Sequence, residues 1–188
     1  MLKFLIPLAL ILQSPFLMAY EQAFEPTKPG VIEFKELPAG RLLESRGNGS
    51  YFDSSNNLFG PLFRYIQKND IAMTTPVEAR MDPGTMYFWV SKTQEEKASK
   101  DAASVRVIDV AKRRVAAHGA RGSYSPENFE KTMSALLKWV DSQSDIETVG
   151  DPFAVYWDGP FKPWFLKTYE VQVEIKFKKS PSNLQNRS

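Results

Sequence analysis

Few residues in this 188-residue chain have the chemistry for catalysis or ligation. The single histidine, His118, lies among small residues in Val115-Ala116-Ala117-His118-Gly119, and there is no cysteine. A structural zinc site draws roughly four ligands from Cys, His and carboxylates, and nucleophilic triads of the Ser-His or Cys-His kind need a histidine base. One histidine and no thiol therefore argue against both, and His118 is read as a structural or surface residue. Gly47-Asn48-Gly49 has no P-loop lysine behind it, so phosphate cradling is unsupported. Two features remain. Glu170 interrupts the strand-like Thr168–Phe177, and Phe59, Leu62, Phe63 and Ile66 recur at helical spacing just ahead of Met73. On the strand, Tyr169, Val171, Val173 and Ile175 share one face, and Glu170, Gln172, Glu174 and Lys176 the other. That second face is read either as solvent face or as the wall of a cleft.

The elements that must position these residues follow from pattern. Val31–Leu37, Arg41–Ser45, Val77–Met81, Thr85–Val90, Ser104–Val110, Arg113–Ala120, Pro152–Trp157 and Thr168–Phe177 read as strands. A first helix runs from Gly60-Pro61 to Lys68, after a looser turn from Asp53, because proline suits a first turn and breaks an interior. A second helix spans Pro126–Ser142, capped by Ser125. Ser144–Asp151 reads as a linker, and Trp157, Phe161, Trp164 and Phe165 either as one partly exposed aromatic wall or as a cap on the end of the barrel. The order is strand-strand-helix-strand-strand, twice. Two amphipathic helices cannot bury their faces on each other and also cover that many strands. The expected fold is α+β: an antiparallel twisted sheet, or a distorted eight-stranded barrel, with both helices packed on it.

Length and composition suit one globular domain. The net charge is +2 with no block of like charges, which argues against nucleic-acid binding. Met1–Ala19, with Lys3 ahead of the apolar Phe4–Leu12, reads as a signal peptide cleaved near Tyr20. The run is shorter than the roughly 20 residues of a membrane span. The expectation is an exported monomer, periplasmic or secreted, without a membrane span after cleavage. Its lead-in is 20–30, its domain 31–177 and its disordered tail 178–188.

Leu62-Phe63-Arg64-Tyr65-Ile66 followed by Ile71-Ala72-Met73-Thr74-Thr75-Pro76-Val77 resembles the L-F-x-Y-I … K-I-x-M-T-x-P-V signature of the SOUL haem-binding family, with a shortened turn and Asp70 in place of the lysine. Pro160-Phe161-Lys162-Pro163-Trp164-Phe165 and Glu170-Val171 match later motifs in the same order. The resemblance covers about 31–177. It implies a duplicated β-α-β-β-type unit with pseudo-twofold symmetry, a fold shared with bacterial effector-binding, GyrI-like domains. It also implies non-covalent haem or another tetrapyrrole. The histidine of some members falls near Glu36 here, so no axial ligand carries over. In the groove mode, Phe59, Leu62, Phe63, Ile66 and Met73 would cover the porphyrin, and Arg64 or Lys68 would meet the propionates. The same apolar residues would equally serve as core. The expected function is thus a non-enzymatic haem- or tetrapyrrole-binding protein with a small hydrophobic ligand. The second reading, from the effector-binding relatives, is small-molecule binding or hydrolysis in a central cleft near Glu170.

Overall fold

The computed structural model describes residues 21–159 and 161–178. The signal peptide expected over 1–19 lies outside the described residues, as does the tail expected over 178–188 apart from Lys178. In chain order the elements are β1 (Glu21–Gln22), β2 (Ile32–Leu37), β3 (Gly40–Arg46), α1 (Tyr51–Lys68), β4 (Thr74–Thr75), β5 (Val77–Arg80), β6 (Thr85–Val90), β7 (Arg106–Val110), β8 (Arg113–Arg121), α2 (Pro126–Asp141), β9 (Ile146–Tyr156) and β10 (Thr168–Phe177). Short 3-10 turns occupy Lys92–Lys97 and Trp164–Leu166.

Eight strands form one antiparallel sheet in the order β2-β8-β10-β9-β5-β6-β3-β7. β2 and β7 are its edges, so the sheet is open rather than closed into a barrel. The duplication is visible in the order. Repeat one is β2-β3-α1-β5-β6 and repeat two is β7-β8-α2-β9-β10. The repeats meet at β5 and β9, and each sends its first strand across to the other: β2 pairs with β8, and β7 with β3.

Strand alternation gives the sheet two apolar faces. One is covered by both helices. Leu43, Phe88, Ala154, Val171 and Val173 from the strands pack there with Leu58, Leu62 and Ile66 of α1 and Phe129, Leu136 and Val140 of α2. The Ser125 hydroxyl accepts from the Asn128 N–H at 3.3 Å and starts α2 where the sequence places it. The opposite face carries a smaller cluster of Leu37, Val115, Phe153, Val155 and Trp157, with Phe24 packed on it.

Three expectations need correction. α1 begins at Tyr51, nine residues before Gly60, and holds Pro61 in its interior. Tyr51 and Leu58 are buried, and the Tyr51 N–H donates to the Met81 carbonyl at 2.9 Å. Tertiary burial thus outweighs the loss of one helical hydrogen bond at proline. The expected linker Ser144–Asp151 is largely strand: β9 starts at Ile146 and pairs with the far end of β10 beyond a bulge between Gln172 and Glu174. Its exposed Glu147–Asp151 shows no apolar alternation, so the strand leaves no trace in the sequence. Nor do the aromatics near β9 form one wall. Trp157 is buried on the helix-free face, whereas Phe161 is 99% exposed and Trp164 and Phe165 are exposed beside each other.

Candidate functional site

The helix-free face places its chemistry in one register row. Glu170 on β10, Val155 on β9, Glu78 on β5, Tyr87 on β6, Glu44 on β3 and Arg106 on β7 lie directly opposite one another across successive strands. The three glutamates are buried, at 0%, 1% and 3% exposure. A buried charge is tolerated only when paired and hydrogen-bonded, and each of these is. Glu170 accepts from the Thr27 N–H (2.7 Å) and the Trp157 indole (2.9 Å) on Oε1, and from Gln172 Nε2 (2.7 Å) and Lys35 Nζ (2.8 Å) on Oε2. Glu78 accepts from the Trp89 indole (3.0 Å) and Arg113 (2.8 Å). Glu44 is held by Arg46 at 2.9 Å and Arg106 at 3.3 Å. Burial first, and then the Glu44 charge, push the Tyr87 phenol above its usual range.

Between Glu78 and the β3–β7 edge the face opens into a cavity of about 340 Å³ lined by Leu42, Glu78, Arg80, Tyr87, Ile108, Val110, Arg113 and Glu174. One wall is apolar, formed by Leu42, Ile108 and Val110. The other is ionic. Arg80 and Arg113 both donate to Glu174 Oε1 at 3.2 Å, and their guanidinium groups lie over the Phe153 ring at 4.1 and 5.7 Å. The buried Nε of Arg113 has no hydrogen-bond partner among the described residues.

The other end of the face is covered. The segment from Ala23 to Val31, most of it in the stretch 20–30 that reads as a polar lead-in, is a strap across the sheet. Its start is held by β1, which pairs in parallel with β4, and by the Ala23 N–H to the Thr75 carbonyl at 2.8 Å. Phe24 inserts edge-on between the indoles of Trp89 (5.6 Å) and Trp157 (5.3 Å). Further on, the Gly30 N–H donates to the Gly119 carbonyl and the Gly119 N–H to Val31. Gly119 permits this approach: a Cβ there would lie 2.4 Å from the carbonyl oxygens of Thr27 and Lys28.

The residues singled out in the sequence are therefore dispersed. Glu170 is no solvent-facing residue; it sits at the closed end of the cleft, while Glu174 on the same strand face reaches the open end. Leu62 (0% exposed) and Ile66 (4%) are core and would have to leave it to touch a ligand. Met73 is half-buried against that core, and Arg64 is exposed. Phe59 (37%) and Phe63 (39%) alone among the six present rings outward, stacked at 5.6 Å. His118 points the other way, with Nδ1 3.2 Å from the Thr132 carbonyl of α2. Of the apolar residues expected to line a groove, Phe59 and Phe63 thus remain at the surface of α1, and Leu62 and Ile66 do not. No group of three or more His, Cys, Asp or Glu among the described residues could hold a metal ion, and no described helix is long and apolar enough to cross a membrane.

Sequence reasoning did not single out Glu78, Arg113, Trp89, Trp157 or Phe24 as site residues. One faint signal was present: a Trp and a Glu one hairpin apart in each repeat, Glu78 with Trp89 and, in reversed order, Trp157 with Glu170.

Known structures share this architecture. The C-terminal domain of EcmrR matches with a TM-score of 0.62 at 15% identity, over 78% of this chain and 97% of that one. EcmrR in its DNA complex matches with a TM-score of 0.63 at 14% identity, and there the chain spans only 57% of the protein's length. A hydrolase from Listeria innocua matches with a TM-score of 0.53 at 11% identity, over 80% and 94%. At such identities the likeness establishes the fold alone. A search of curated proteins finds no match. The family model described as SOUL heme-binding protein matches residues 19–174. With that match over most of its length, the chain belongs to the SOUL family, whose fold is shared with bacterial effector-binding domains.

Proposed function

We propose that this protein binds a compact amphipathic small molecule in the cleft on the helix-free face, at the open end beside Glu78. The observation that carries the reading is the cavity of about 340 Å³, with an apolar wall on β3 and β7 facing an ionic wall on β5, β8 and β10. Small-molecule sites commonly span roughly 300–1,000 Å³ and combine apolar lining with a few fixed polar groups. Stability alone does not account for the ionic wall. Buried ion pairs are on balance no better than apolar residues of the same volume, so a row of three buried glutamates with their cations points to recognition. The guanidinium groups of Arg80 and Arg113 in that wall favour a ligand with an anionic or strongly accepting group at that end. The role is binding rather than catalysis, since Glu78 and Glu170 are each held by a cation and an indole and neither is free to act as a general base. Export by way of residues 1–19 remains part of the proposal, and the N-terminal sequence of secreted material tests it.

The binding test uses 4-phenylbutyrate and 4-phenylbutylammonium as probes of opposite charge. The carboxylate should raise the melting temperature more than the ammonium, and Ile108→Asp in the apolar wall should remove the effect. No shift with either probe, or an unchanged shift in Ile108→Asp, would overturn the reading.

A second reading keeps haem. It is favoured by the exposed Phe59–Phe63 stack on α1, with Arg64 on the same helix to meet a propionate. Haemin would then bind by stacking on the helix surface without an axial histidine. It predicts a Soret shift that Phe63→Ala abolishes and Ile108→Asp leaves intact.

A further inference from the structure

At the closed end of the cleft the chain serves as its own ligand. Phe24 fills the gap between two indoles, and each indole donates its N–H to a buried glutamate behind it. Three residues further on, the Thr27 amide supplies Glu170 with one of its four donors. A ring and an N–H donor at short separation are what this slot holds.

Three features make the occupant separable from the site. First, most of the support for Glu170 stays when the strap leaves. Trp157, Gln172 and Lys35 belong to the sheet or its immediate end; the Thr27 N–H is the one strap donor. Second, the fill is imperfect. Gln172 is fully buried and gives its Nε2 to Glu170, yet its Oε1 has no partner among the described residues, and neither does the buried Thr27 hydroxyl. Third, the strap is attached by scattered bonds rather than a continuous ladder: β1 covers two residues, and Gly30 and Val31 make isolated contacts with Gly119. Segments of that kind open locally at free energies well below global unfolding.

We propose that the slot between Trp89 and Trp157 above Glu170 is a second binding site, for a neutral aromatic amide, and that Phe24 with the Thr27 amide is its resident, displaceable occupant. The ring replaces Phe24. One N–H of a primary amide replaces the Thr27 donor on Glu170, and the other reaches the unpaired Oε1 of Gln172. Neutrality follows from Lys35, which lies 2.8 Å from Glu170 and already balances its charge. A cationic ligand would meet the ammonium, and an anionic one the carboxylate. The inference rests on the reading of the helix-free face as the binding face, but uses its opposite end.

The test is calorimetric titration of the full chain with 2-phenylacetamide, and with 2-phenylethylammonium as the charged counterpart. Phe24→Ala empties the slot, so it should bind 2-phenylacetamide at least tenfold more tightly than the unsubstituted chain, with no such gain for the ammonium. Equal affinity of the two chains for the amide overturns the site, and a gain for the ammonium alone overturns the ligand class. Phe24→Ala combined with Ile108→Arg separates this from the reading above. The added arginine fills the open cavity, so tight amide binding that survives it belongs to the slot, whereas binding lost with it belongs to the cavity and overturns the slot. Hydrogen exchange on the unsubstituted chain gives a measurement independent of any folding defect in the variant. The Thr27 amide should exchange at least tenfold faster than the Val171 amide of β10, and faster still with saturating 2-phenylacetamide. Exchange of Thr27 only at the rate of global unfolding overturns the displaceable strap.

Discussion

Gly119→Ala isolates the strap from everything else in the fold. Gly119 has no left-handed backbone to lose, so alanine acts through its methyl group alone. That methyl would lie 2.4 Å from the carbonyl oxygens of Thr27 and Lys28, against an ordinary contact limit of 3.4 Å, and the strap must retreat by 1.0 Å. A retreat of that size breaks the Gly30 N–H to Gly119 bond (2.8 Å), the Gly119 N–H to Val31 bond (3.0 Å) and the Thr27 N–H to Glu170 bond (2.7 Å). The first two are neutral pairs worth about 0.5–1.5 kcal/mol each, and the third ends on a carboxylate and is worth roughly 1.5–3 kcal/mol. The strap is at the surface and can lift so that water reaches the freed groups, which places the loss at the lower end, about 3 kcal/mol. For a chain of this size about 1 kcal/mol moves the melting temperature by roughly 2–4 °C. The expected fall is therefore about 6–12 °C, with Thr27 and Gly30 amides losing their protection from hydrogen exchange while β10 keeps its own. Gly159→Ala, where a Cβ meets nothing within 4 Å, serves as the control. A Gly119→Ala protein that melts within 2 °C of the unsubstituted chain, with Thr27 and Gly30 still protected, would refute the close approach and the account of the strap built on it.

Lys35→Met leaves Glu170 charged and buried without its cation. Breaking such a pair costs about 3–5 kcal/mol, and the partial exposure of Lys35 (15%) places the expected loss near the lower figure. The double variant Lys35→Met/Glu170→Met should recover most of it in chemical denaturation, and a double variant no more stable than Lys35→Met contradicts the pairing. Burial raises the Asp158 pKa, but Lys162 at 2.6 Å and the Thr168 N–H and hydroxyl at 2.6 and 2.8 Å outweigh it, so the carboxyl titrates below its ordinary value. A depressed pKa contributes stability that is present above the unfolded value of roughly 3.9 and is lost as pH falls through the folded value. Asp158→Asn should therefore be less stable than the unsubstituted chain at pH 6, with the gap closing on acidification; thermal melts showing a constant gap from pH 6 to pH 3 would contradict the assignment. His118→Ala should lower the melting temperature modestly through its lost contact with Thr132 and leave any haemin absorbance shift unchanged, and spectra in which that shift disappears would put the histidine at the haem.

How much of this was legible depended on whether a residue's environment is set locally. Strands such as Thr85–Val90 and Arg113–Arg121 carry their burial in their composition and are found where the pattern puts them. The helix-covered faces of Leu62 and Ile66 are legible for the same reason. The early start of α1 is not, because it depends on Tyr51 packing against Tyr156, more than a hundred residues away. The strap is the extreme case. Phe24 is a lone aromatic in a stretch rich in proline and charge; its partners are Trp89 and Trp157, the strap's close approach is to Gly119, and these come from three different strands or strand ends. Glu170 was visible as a carboxylate on an alternating strand, but alternation says only which side it faces. Whether that side is wet or dry was decided by a segment some 140 residues earlier in the chain.

The exchange of first strands between the repeats explains why the candidate site needs the whole domain. Glu170 belongs to repeat two, and its cation, Lys35, comes from β2 of repeat one. Glu78 belongs to repeat one, and its cation, Arg113, comes from β8 of repeat two. Glu44, in repeat one, has Arg106 from β7 of repeat two beside its own neighbour Arg46. A repeat standing alone would lack the countercharge that the other supplies to each of these carboxylates, and a buried carboxylate without its partner costs several kcal/mol. The duplication therefore does more than build a wide sheet. It ties the ion pairing of each half of the helix-free face to the docking of the other, so that the row of glutamates becomes tolerable only once both repeats are joined along β5 and β9.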